Sequence, residues 1–305
     1  MSIRIVTTTS ESGCFMFASS RRGAAVYDLN VPKGWQLNVA MDQEQLVAKI
    51  SAEFSPDQYP AHSEKIWPLL RPILQELHAV FTSDLVHGGV LLEVGCGPCM
   101  YTAMAASVAF QHIVMADLVP ANVLEVRKWV DAAPDAKDWS PFAYRLAAIE
   151  GHADSENAAA DIIARTRHAI REVTLCDISK PRVFIDRRDA PQFDAVVACL
   201  CLDSGSVNQA AHERAVANLA GLLKPGGILV ASGVTGNASF TVCTRTFSSL
   251  CSTEASIKSS FTKAGLAVER WSSEQGLPCM QSYIKYEATY VIVGRKNRLE
   301  YCVSV

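Results

Sequence analysis

The sequence contains the segment Val90-Leu91-Leu92-Glu93-Val94-Gly95-Cys96-Gly97-Pro98-Cys99-Met100-Tyr101, which joins a short apolar run, a turn with two glycines and the start of a helical pattern. The apolar run predicts a buried strand over residues 90–94. Gly95 and Gly97 lack a Cβ atom, so the backbone can turn sharply and approach a ligand closely. A strand, a glycine turn and a helix in this order bind nucleotide-like ligands at the carboxyl end of a parallel sheet. Met100 stands where the dinucleotide fingerprint has its third glycine, which weakens a pyrophosphate-binding interpretation.

Strands and helices alternate around this segment. Apolar residues at helical spacing predict a helix over residues 64–81, in which Pro68 and Pro72 predict an irregular or late start. Other helices are predicted at residues 42–50, from 101, and at 120–132, 155–170, 208–223 and 253–264. Strands are predicted at residues 90–94, 113–116, 173–175, 193–201, 228–232, 267–271 and 289–293. This alternation predicts an α/β fold with a mostly parallel sheet covered on both faces.

The second predicted strand ends at Asp117. This acid follows the glycine turn at about the 20-residue distance at which a ribose-binding acid lies in such folds. Its carboxylate can accept hydrogen bonds from both ribose hydroxyls. The strand, turn, helix, second strand and acid together predict a site for a nucleotide-like ligand.

The run Cys96-Gly97-Pro98-Cys99 also matches a redox-active dithiol. A helix N-terminus lowers the pKa of a nearby thiol, so this alternative is physically possible. It leaves Glu93, Asp117 and a second glycine-containing loop without a role. A dithiol oxidoreductase therefore stands as an alternative to the ligand-binding loop.

Composition excludes several classes of protein. The chain has 305 residues, of which 49% are hydrophobic, and a net charge of −3, so it can bury a core and has no basic surface for nucleic acid. No apolar stretch reaches the roughly 18 residues of a membrane span. The 10 cysteines lack zinc-site spacing, so no metal site is predicted and a reducing, cytoplasmic compartment is expected. Seven histidines are scattered along the chain and are expected to be mostly at the surface.

Three regions are predicted along the chain. Residues 1–48 show no clear periodicity beyond the short helix at 42–50 and are expected to form a poorly ordered extension. Residues 49–298 are predicted to form one domain, and residues 299–305 a tail. No internal repeat or linker indicates a second domain.

A second loop strengthens the prediction. Leu222-Leu223-Lys224-Pro225-Gly226-Gly227-Ile228-Leu229-Val230 predicts a helix end, a Pro-Gly-Gly turn and a strand. By itself this is an ordinary connection, because glycine is common after a helix. The same string at this distance from a glycine turn that follows Glu93 is typical of methyltransferases.

Several motifs then carry a family resemblance. They are Phe54-Ser55-Pro56-Asp57-Gln58-Tyr59, Gly95-Cys96-Gly97-Pro98 with Tyr101, Asp117 with Asn122, Lys137-Asp138-Trp139-Ser140-Pro141, Cys176-Asp177-Ile178, Leu200-Cys201-Leu202-Asp203 and Phe247-Ser248-Ser249-Leu250. In this order, over roughly residues 50–295, they resemble the nicotinamide, phenylethanolamine and indolethylamine N-methyltransferases. The resemblance implies a Rossmann-like, doubly wound, mostly parallel seven-stranded sheet with an antiparallel C-terminal strand and an N-terminal helical lid. It also implies S-adenosyl-L-methionine as cofactor.

The resemblance implies roles for individual residues. Tyr59 would close over the cofactor from the lid, Asp117 would hold the ribose beside Asn122, and Asp177 and Ile178 would flank the adenine. The remaining expected cofactor contacts are Glu93, Gly95, Cys96, Gly97, Tyr101 and Cys199. Expected substrate contacts are Leu200, Asp203, Phe240 and Ser249, where Asp203 either touches the substrate or only bridges a loop.

The chain departs from the family at one position that bears on the substrate. Relatives have an acid after the strand at 228–232 that anchors an amide or amine, whereas this chain has Gly233. Residues 234–246 contain no acid, so Glu287 is the candidate replacement. The lid after Tyr59 is also shorter than in relatives and lacks their second tyrosine. The missing acid favours an uncharged or aromatic nitrogen over a cationic amine.

The expected function is methyl transfer from S-adenosyl-L-methionine to the nitrogen of a pyridine or amine by direct in-line displacement. Such a reaction mainly needs orientation and exclusion of water, so no catalytic residue is assigned. The alternatives are an O- or S-methyltransferase on the same scaffold and a non-catalytic protein that binds the cofactor. The expected partner is a small-molecule acceptor, with no nucleic acid and no membrane, and the chain is expected to be a monomer.

Overall fold

The computed structural model describes residues 5–10, 13–18, 41–57, 59–153, 155–186, 191–242, 244–280 and 283–297. Residues 19–40 of the predicted extension and the predicted tail at 299–305 lie outside the described residues. Within the extension, strands β1 (Ile5–Ser10) and β2 (Gly13–Ala18) pair antiparallel. No periodicity in the sequence predicted this pair.

The other elements occupy the remaining described ranges. The strands are β3 Val90–Val94, β4 His112–Asp117, β5 Ile170–Leu175, β6 Phe193–Cys199, β7 Leu223–Thr235, β8 Ser239–Val242, β9 Arg245–Ser248, β10 Leu266–Gln275 and β11 Ala288–Lys296. The helices are α1 Gln43–Glu53, α2 Tyr59–Lys65, α3 Trp67–Phe81, α4 Tyr101–Ala106, α5 Pro120–Val130, α6 Ser140–Ile149, α7 Ser155–Ala169, α8 Gln209–Gly221 and α9 Glu254–Lys263.

Seven strands form one sheet in the order β10-β11-β7-β6-β3-β4-β5. Strands β7, β6, β3, β4 and β5 are parallel, and β11 runs antiparallel to both of its neighbours. The predicted doubly wound sheet with an antiparallel C-terminal strand is confirmed. The chain starts the sheet at β3 and winds outward in both directions, so the carboxyl end of β3 is the switch point at which such sheets bind ligands.

The sheet separates two hydrophobic clusters. Consecutive residues of β3 point to opposite faces, so Leu91 packs in the cluster with α3 to α7 and Leu92 in the cluster with α8 and α9. Both side chains are fully buried. Two-sided burial explains why the central strand is apolar at almost every position.

Several predicted boundaries change for local reasons. Helix α3 begins at Trp67, with a proline in its first turn, and a separate short helix, α2, precedes it. Strand β6 ends at Cys199, short of the predicted residue 201, because Leu200 has a φ of 56°. Strand β7 begins at Leu223 and takes in the predicted Pro-Gly-Gly turn, where its pairing with β6 shifts register. Helix α6 was not predicted.

Helix α1 spans the predicted domain boundary at residue 48. Asp42 caps it, and Gln45 completes a capping box at its first turn. Gln43 fixes it to the loop after β6, since its side-chain amide donates to the Gly205 carbonyl at 2.7 Å and accepts from the Val207 N–H at 3.2 Å. Among the helices that the structure describes, none has the length and apolar character that a membrane span requires.

The burial of α3 leads to a stability prediction. Leu77 is fully buried on α3, whereas Leu124 on α5 is 53% exposed. We expect Leu77→Ala to lower the free energy of unfolding by about 2–5 kcal/mol, because it removes buried apolar surface and leaves a cavity. Leu124→Ala, the same substitution in an exposed helical position, should change it by less than about 0.5 kcal/mol. Urea denaturation of both variants measures this; equal effects would contradict the assignment of α3 to the core.

Candidate functional site

The loops after the central strands converge at the carboxyl edge of the sheet. The glycine loop follows β3, Asp117 ends β4, Asp177 lies just after β5, and Leu200 follows β6. Together they line a cavity with an empty volume of about 920 Å³, called here the loop cavity. Its position is the one that the strand order predicts for a ligand.

The structure brings all the residues expected to contact a cofactor around the loop cavity. They are Tyr59, Glu93, Gly95, Cys96, Gly97, Tyr101, Asp117, Asn122, Asp177, Ile178 and Cys199. The cavity is also lined by residues that were not predicted to contact a cofactor. Among them are Val47 and Ile50 of α1 and Phe54, which follows that helix. The capping box of Asp42 and Gln45 was the available sequence signal for an ordered helix there.

Two glycines with left-handed backbone conformations shape the glycine loop. Gly95 and Gly97 have φ values of 63° and 59°. A Cβ atom on Gly95 would lie 2.5 Å from the Cβ of Cys201. The close approach of these two loops therefore requires glycine at position 95.

Asp117 ties the loop to the end of β4. One carboxylate oxygen accepts the backbone N–H of Gly97 at 2.8 Å. The other accepts the N–H of Val119 at 2.8 Å and the side-chain amide of Asn122 at 3.0 Å. Burial raises the pKa of Asp117, and these three hydrogen bonds oppose that shift by stabilising the charged form.

Glu93 is the second acid of the loop cavity. Its side chain is 1% exposed, and burial raises its pKa to about 8. Its Oε2 atom has no hydrogen-bond partner among the described residues, and the same holds for Oδ1 of Asn122. A buried carboxylate oxygen without a donor is unfavourable by itself, so this cavity suits a ligand with cationic or donor groups.

The two cysteines of the loop lack the features of a reactive dithiol. Cys96 and Cys99 are both buried, and the Cys99 thiol donates to the Cys96 carbonyl at 2.9 Å. Burial raises the pKa of both thiols. Reactive thiols need a lowered pKa, so the geometry disfavours the oxidoreductase alternative.

A second cavity adjoins the first and is called here the Asp203 cavity. Its empty volume, which includes open solvent, is about 730 Å³. It is lined by Leu200, Asp203, Phe240 and Ser249, the residues expected to contact a substrate. The two cavities share Tyr59, Leu200, Ser204 and Phe240.

Asp203 is held in a buried hydrogen-bond network. Its Oδ2 accepts the Tyr290 hydroxyl at 3.0 Å, and its Oδ1 accepts the Ser252 hydroxyl. The Nε2 atom of His212 lies 3.9 Å from Oδ1. Burial raises the pKa of Asp203, whereas the Ser252 hydrogen bond, the nearby His212 and the Tyr290 hydrogen bond lower it. Asp203 therefore both lines the cavity and bridges loops.

Tyr290 takes the space that a side chain at position 233 would need. Tyr290 on β11 is the cross-strand partner of Gly233 on β7. A Cβ atom on Gly233 would lie 2.8 Å from the Tyr290 hydroxyl and 2.8 Å from Oδ2 of Asp203. The Tyr290 ring stacks on Trp271 with centroids 5.3 Å apart, which fixes its direction. No sequence motif singled out Tyr290.

Glu287, the candidate replacement for the missing acid, lines neither cavity. Its side chain is exposed and lies against Gly236, where an added Cβ atom would be 2.5 Å from the Glu287 Cγ. The acid beside Gly233 is instead Asp203. Two of the histidines set aside in the sequence, His62 and His212, are buried, and His62 lines the Asp203 cavity.

The fold and the loop cavity define a class I S-adenosylmethionine-dependent methyltransferase, an enzyme of the EC 2.1.1 group. Residues 50–297 match the model of the NNMT/PNMT/TEMT family, and the chain belongs to this family of small-molecule N-methyltransferases.

Individual relatives agree with this assignment. The chain is 28% identical over 228 residues to nicotinamide N-methyltransferase of Homo sapiens, covering 75% of this chain and 84% of that protein. It is 27% identical over 252 residues to indolethylamine N-methyltransferase of Mus musculus, covering 80% and 94%. Among solved structures, magnesium protoporphyrin IX methyltransferase from Synechocystis PCC 6803 with bound SAM shares the fold at a TM-score of 0.52 and 12% identity. That match covers 85% of this chain and all of that one.

The glycine loop can be tested by adding a single methyl group. We expect Gly95→Ala to weaken S-adenosylmethionine binding about tenfold or more, because a left-handed residue with a Cβ atom is strained by about 1–3 kcal/mol and this Cβ would also collide with Cys201. Gly89→Ala is the matched control, since no atom of the described residues lies within 4 Å of a Cβ atom added there. Calorimetric titration measures both affinities. Wild-type affinity in Gly95→Ala would contradict the requirement for glycine.

Proposed function

We propose that this enzyme methylates an uncharged nitrogen, of the pyridine type, on a small-molecule acceptor bound in the Asp203 cavity. The observation that carries the proposal is the state of Asp203. It is the only acid among the described residues lining that cavity, and both of its oxygens already accept hydrogen bonds from buried hydroxyls. The relatives' names include both a pyridine, nicotinamide, and amines, so the family alone leaves this choice open.

The loop cavity would hold S-adenosylmethionine. Glu93 would face a cationic group of the cofactor, because its Oε2 has no hydrogen-bond partner among the residues that the structure describes. Asp117 and Asn122 would hold the ribose, and Asp177 and Ile178 would flank the adenine. The other expected contacts, Tyr59, Gly95, Cys96, Gly97, Tyr101 and Cys199, line the same cavity, which supports this assignment.

When bound, the cofactor supplies a methyl group on a positively charged sulfur that a nitrogen lone pair can displace in line. The residues of the chain provide position and exclusion of water. Leu200, Tyr59 and Phe240 lie where the two cavities meet and would orient the acceptor towards the loop cavity. Leu200 keeps a left-handed backbone there, with its N–H donating to the Ser232 carbonyl at 2.8 Å.

An uncharged nitrogen suits this cavity for electrostatic reasons. A cationic amine must lose a proton before it can attack, and it binds best beside a free carboxylate. Asp203 is buried and already accepts one hydrogen bond on each oxygen, from Tyr290 and Ser252, and no second acid lies among the described lining residues. A pyridine nitrogen needs neither deprotonation nor an ion pair.

The role of Glu93 predicts proton release on cofactor binding. At about pH 6.5 a carboxyl with a pKa of about 8 is protonated in the free protein, and a cationic group beside it favours ionisation. We expect about one proton to be released per cofactor bound. Calorimetry in buffers of different ionisation enthalpy measures this number. Glu93→Gln should abolish the release, and identical release in that variant would contradict the role of Glu93.

Acceptor screening tests the proposed function itself. We expect methyl transfer from labelled S-adenosylmethionine to pyridines and quinolines at a higher kcat/KM than to primary amines such as tryptamine and phenylethanolamine. Tyr290→Phe removes one hydrogen bond to Asp203, so it should raise the relative rate with primary amines. A strong preference of the wild type for primary amines would contradict the proposal. Transfer only to oxygen or sulfur would indicate an O- or S-methyltransferase instead. Cofactor binding without turnover would indicate a non-catalytic protein that binds the cofactor.

A further inference from the structure

His62 is a buried polar residue on the wall of the Asp203 cavity that has no role in the functions described so far. It lies on α2, one turn after Tyr59, and is 9% exposed. Its Nδ1 atom is 2.9 Å from the Tyr283 hydroxyl, and its ring packs against Tyr59 with centroids 5.4 Å apart. The contacts with both tyrosines fix the position of the imidazole.

The second ring nitrogen of His62 remains available. Nε2 makes no hydrogen bond to a described residue, whereas Nδ1 is engaged by Tyr283. Burial, with a smaller contribution from Lys65, lowers the pKa of His62 to about 4, so the ring is neutral at physiological pH. A neutral imidazole presents one donor and one acceptor, and the Tyr283 contact uses only one of them.

The rest of the cavity wall limits what His62 can recognise. Near it, Ile66, Leu69 and Ile284 are apolar and suit a flat ring. None of the described lining residues is Lys or Arg, so nothing there compensates a negative charge on the ligand, and Asp203 would repel one. A ligand in this cavity therefore carries its polarity as a neutral group.

We propose that His62, held by Tyr283, is a specificity-determining residue that hydrogen-bonds a neutral polar substituent, an amide or a hydroxyl, of the ring whose nitrogen is methylated. This inference rests on the proposed function and extends it to the substituent. Two properties of the acceptor are then recognised separately: the uncharged nitrogen by the region around Asp203, and the substituent by His62. A carboxylate in place of the amide would be rejected.

Three matched probes test the proposal: pyridine-3-carboxamide, 3-methylpyridine and pyridine-3-carboxylate. Their binding is measured by calorimetry on protein saturated with S-adenosylhomocysteine, so that no turnover is needed. We expect the wild type to bind the amide about fivefold more tightly than 3-methylpyridine, which corresponds to one neutral hydrogen bond, and the carboxylate more weakly than both.

Variants at His62 separate recognition from packing. His62→Ala should bring the amide and 3-methylpyridine to equal affinity. His62→Gln should restore part of the preference because its amide reaches the position of Nε2, whereas His62→Asn, which replaces only Nδ1, should not. His78→Ala on α3 removes a histidine that lines neither cavity and should leave all three affinities unchanged.

The outcomes distinguish this proposal from the proposed function. A preference that depends on His62, without methyl transfer to any nitrogen, would retain the role of His62 and contradict the N-methylation proposal. Methylation of pyridines, together with an unchanged amide preference in His62→Ala, would support the N-methylation proposal and contradict the role of His62. Equal loss of all probes and of cofactor affinity in His62→Ala would show a packing role and overturn the proposal. Absence of any amide preference in the wild type would overturn it as well.

Discussion

The hydrogen bond from the Gly97 backbone N–H to Asp117 is the contact on which the site depends, because it ties the loop after β3 to the end of β4. In the loop that makes this contact, Gly95 and Gly97 both have left-handed backbone conformations, which glycine adopts readily. Neighbouring parallel strands end at the same edge of the sheet, so one short turn brings both halves of the loop cavity together. The burial that shapes this cavity also raises the pKa of Glu93, and one of its oxygens has no donor within the described part of the chain. The same arrangement therefore builds the cavity and places in it an acid that a neighbouring cationic group would ionise.

In the Asp203 cavity, the absence of a side chain on Gly233 leaves room for Tyr290, whose hydroxyl donates a hydrogen bond to Asp203. Gly233 opposes Tyr290 across two antiparallel strands, and the tyrosine hydroxyl occupies the space beside Asp203. A side chain at position 233 and a tyrosine at position 290 exclude each other sterically in this geometry. The space that Gly233 leaves open is thus filled by a phenol that donates a hydrogen bond to Asp203, the one acid among the described residues that line this cavity.

Helices α1 and α2 connect the two cavities to distant parts of the chain. Gln43 links α1 to the loop after β6, and Tyr59 contributes to both cavities from α2. Arg145 on α6 supports the other end of α2, since it forms an ion pair with Glu64 and lies over the Trp67 ring at 4.5 Å. Helix α6 was not recognised in the sequence. The segment that begins with Ser140-Pro141 overlaps a family motif, but no helix was predicted there.

The sequence by itself determined the α/β class, the strands that carry the site and the glycine loop, because periodic burial and left-handed glycines leave a signal in contiguous residues. The expected cofactor and substrate residues came from family motifs, and the structure brings them around two adjoining cavities. Only the tertiary structure decided the pairs that join distant positions: Tyr290 with Asp203, His62 with Tyr283, and Gln43 with Gly205. It also placed Glu287 away from the site and put the Pro-Gly-Gly turn inside β7. Such pairs depend on strand register and helix docking, which are set by packing across the whole core and not by any local pattern.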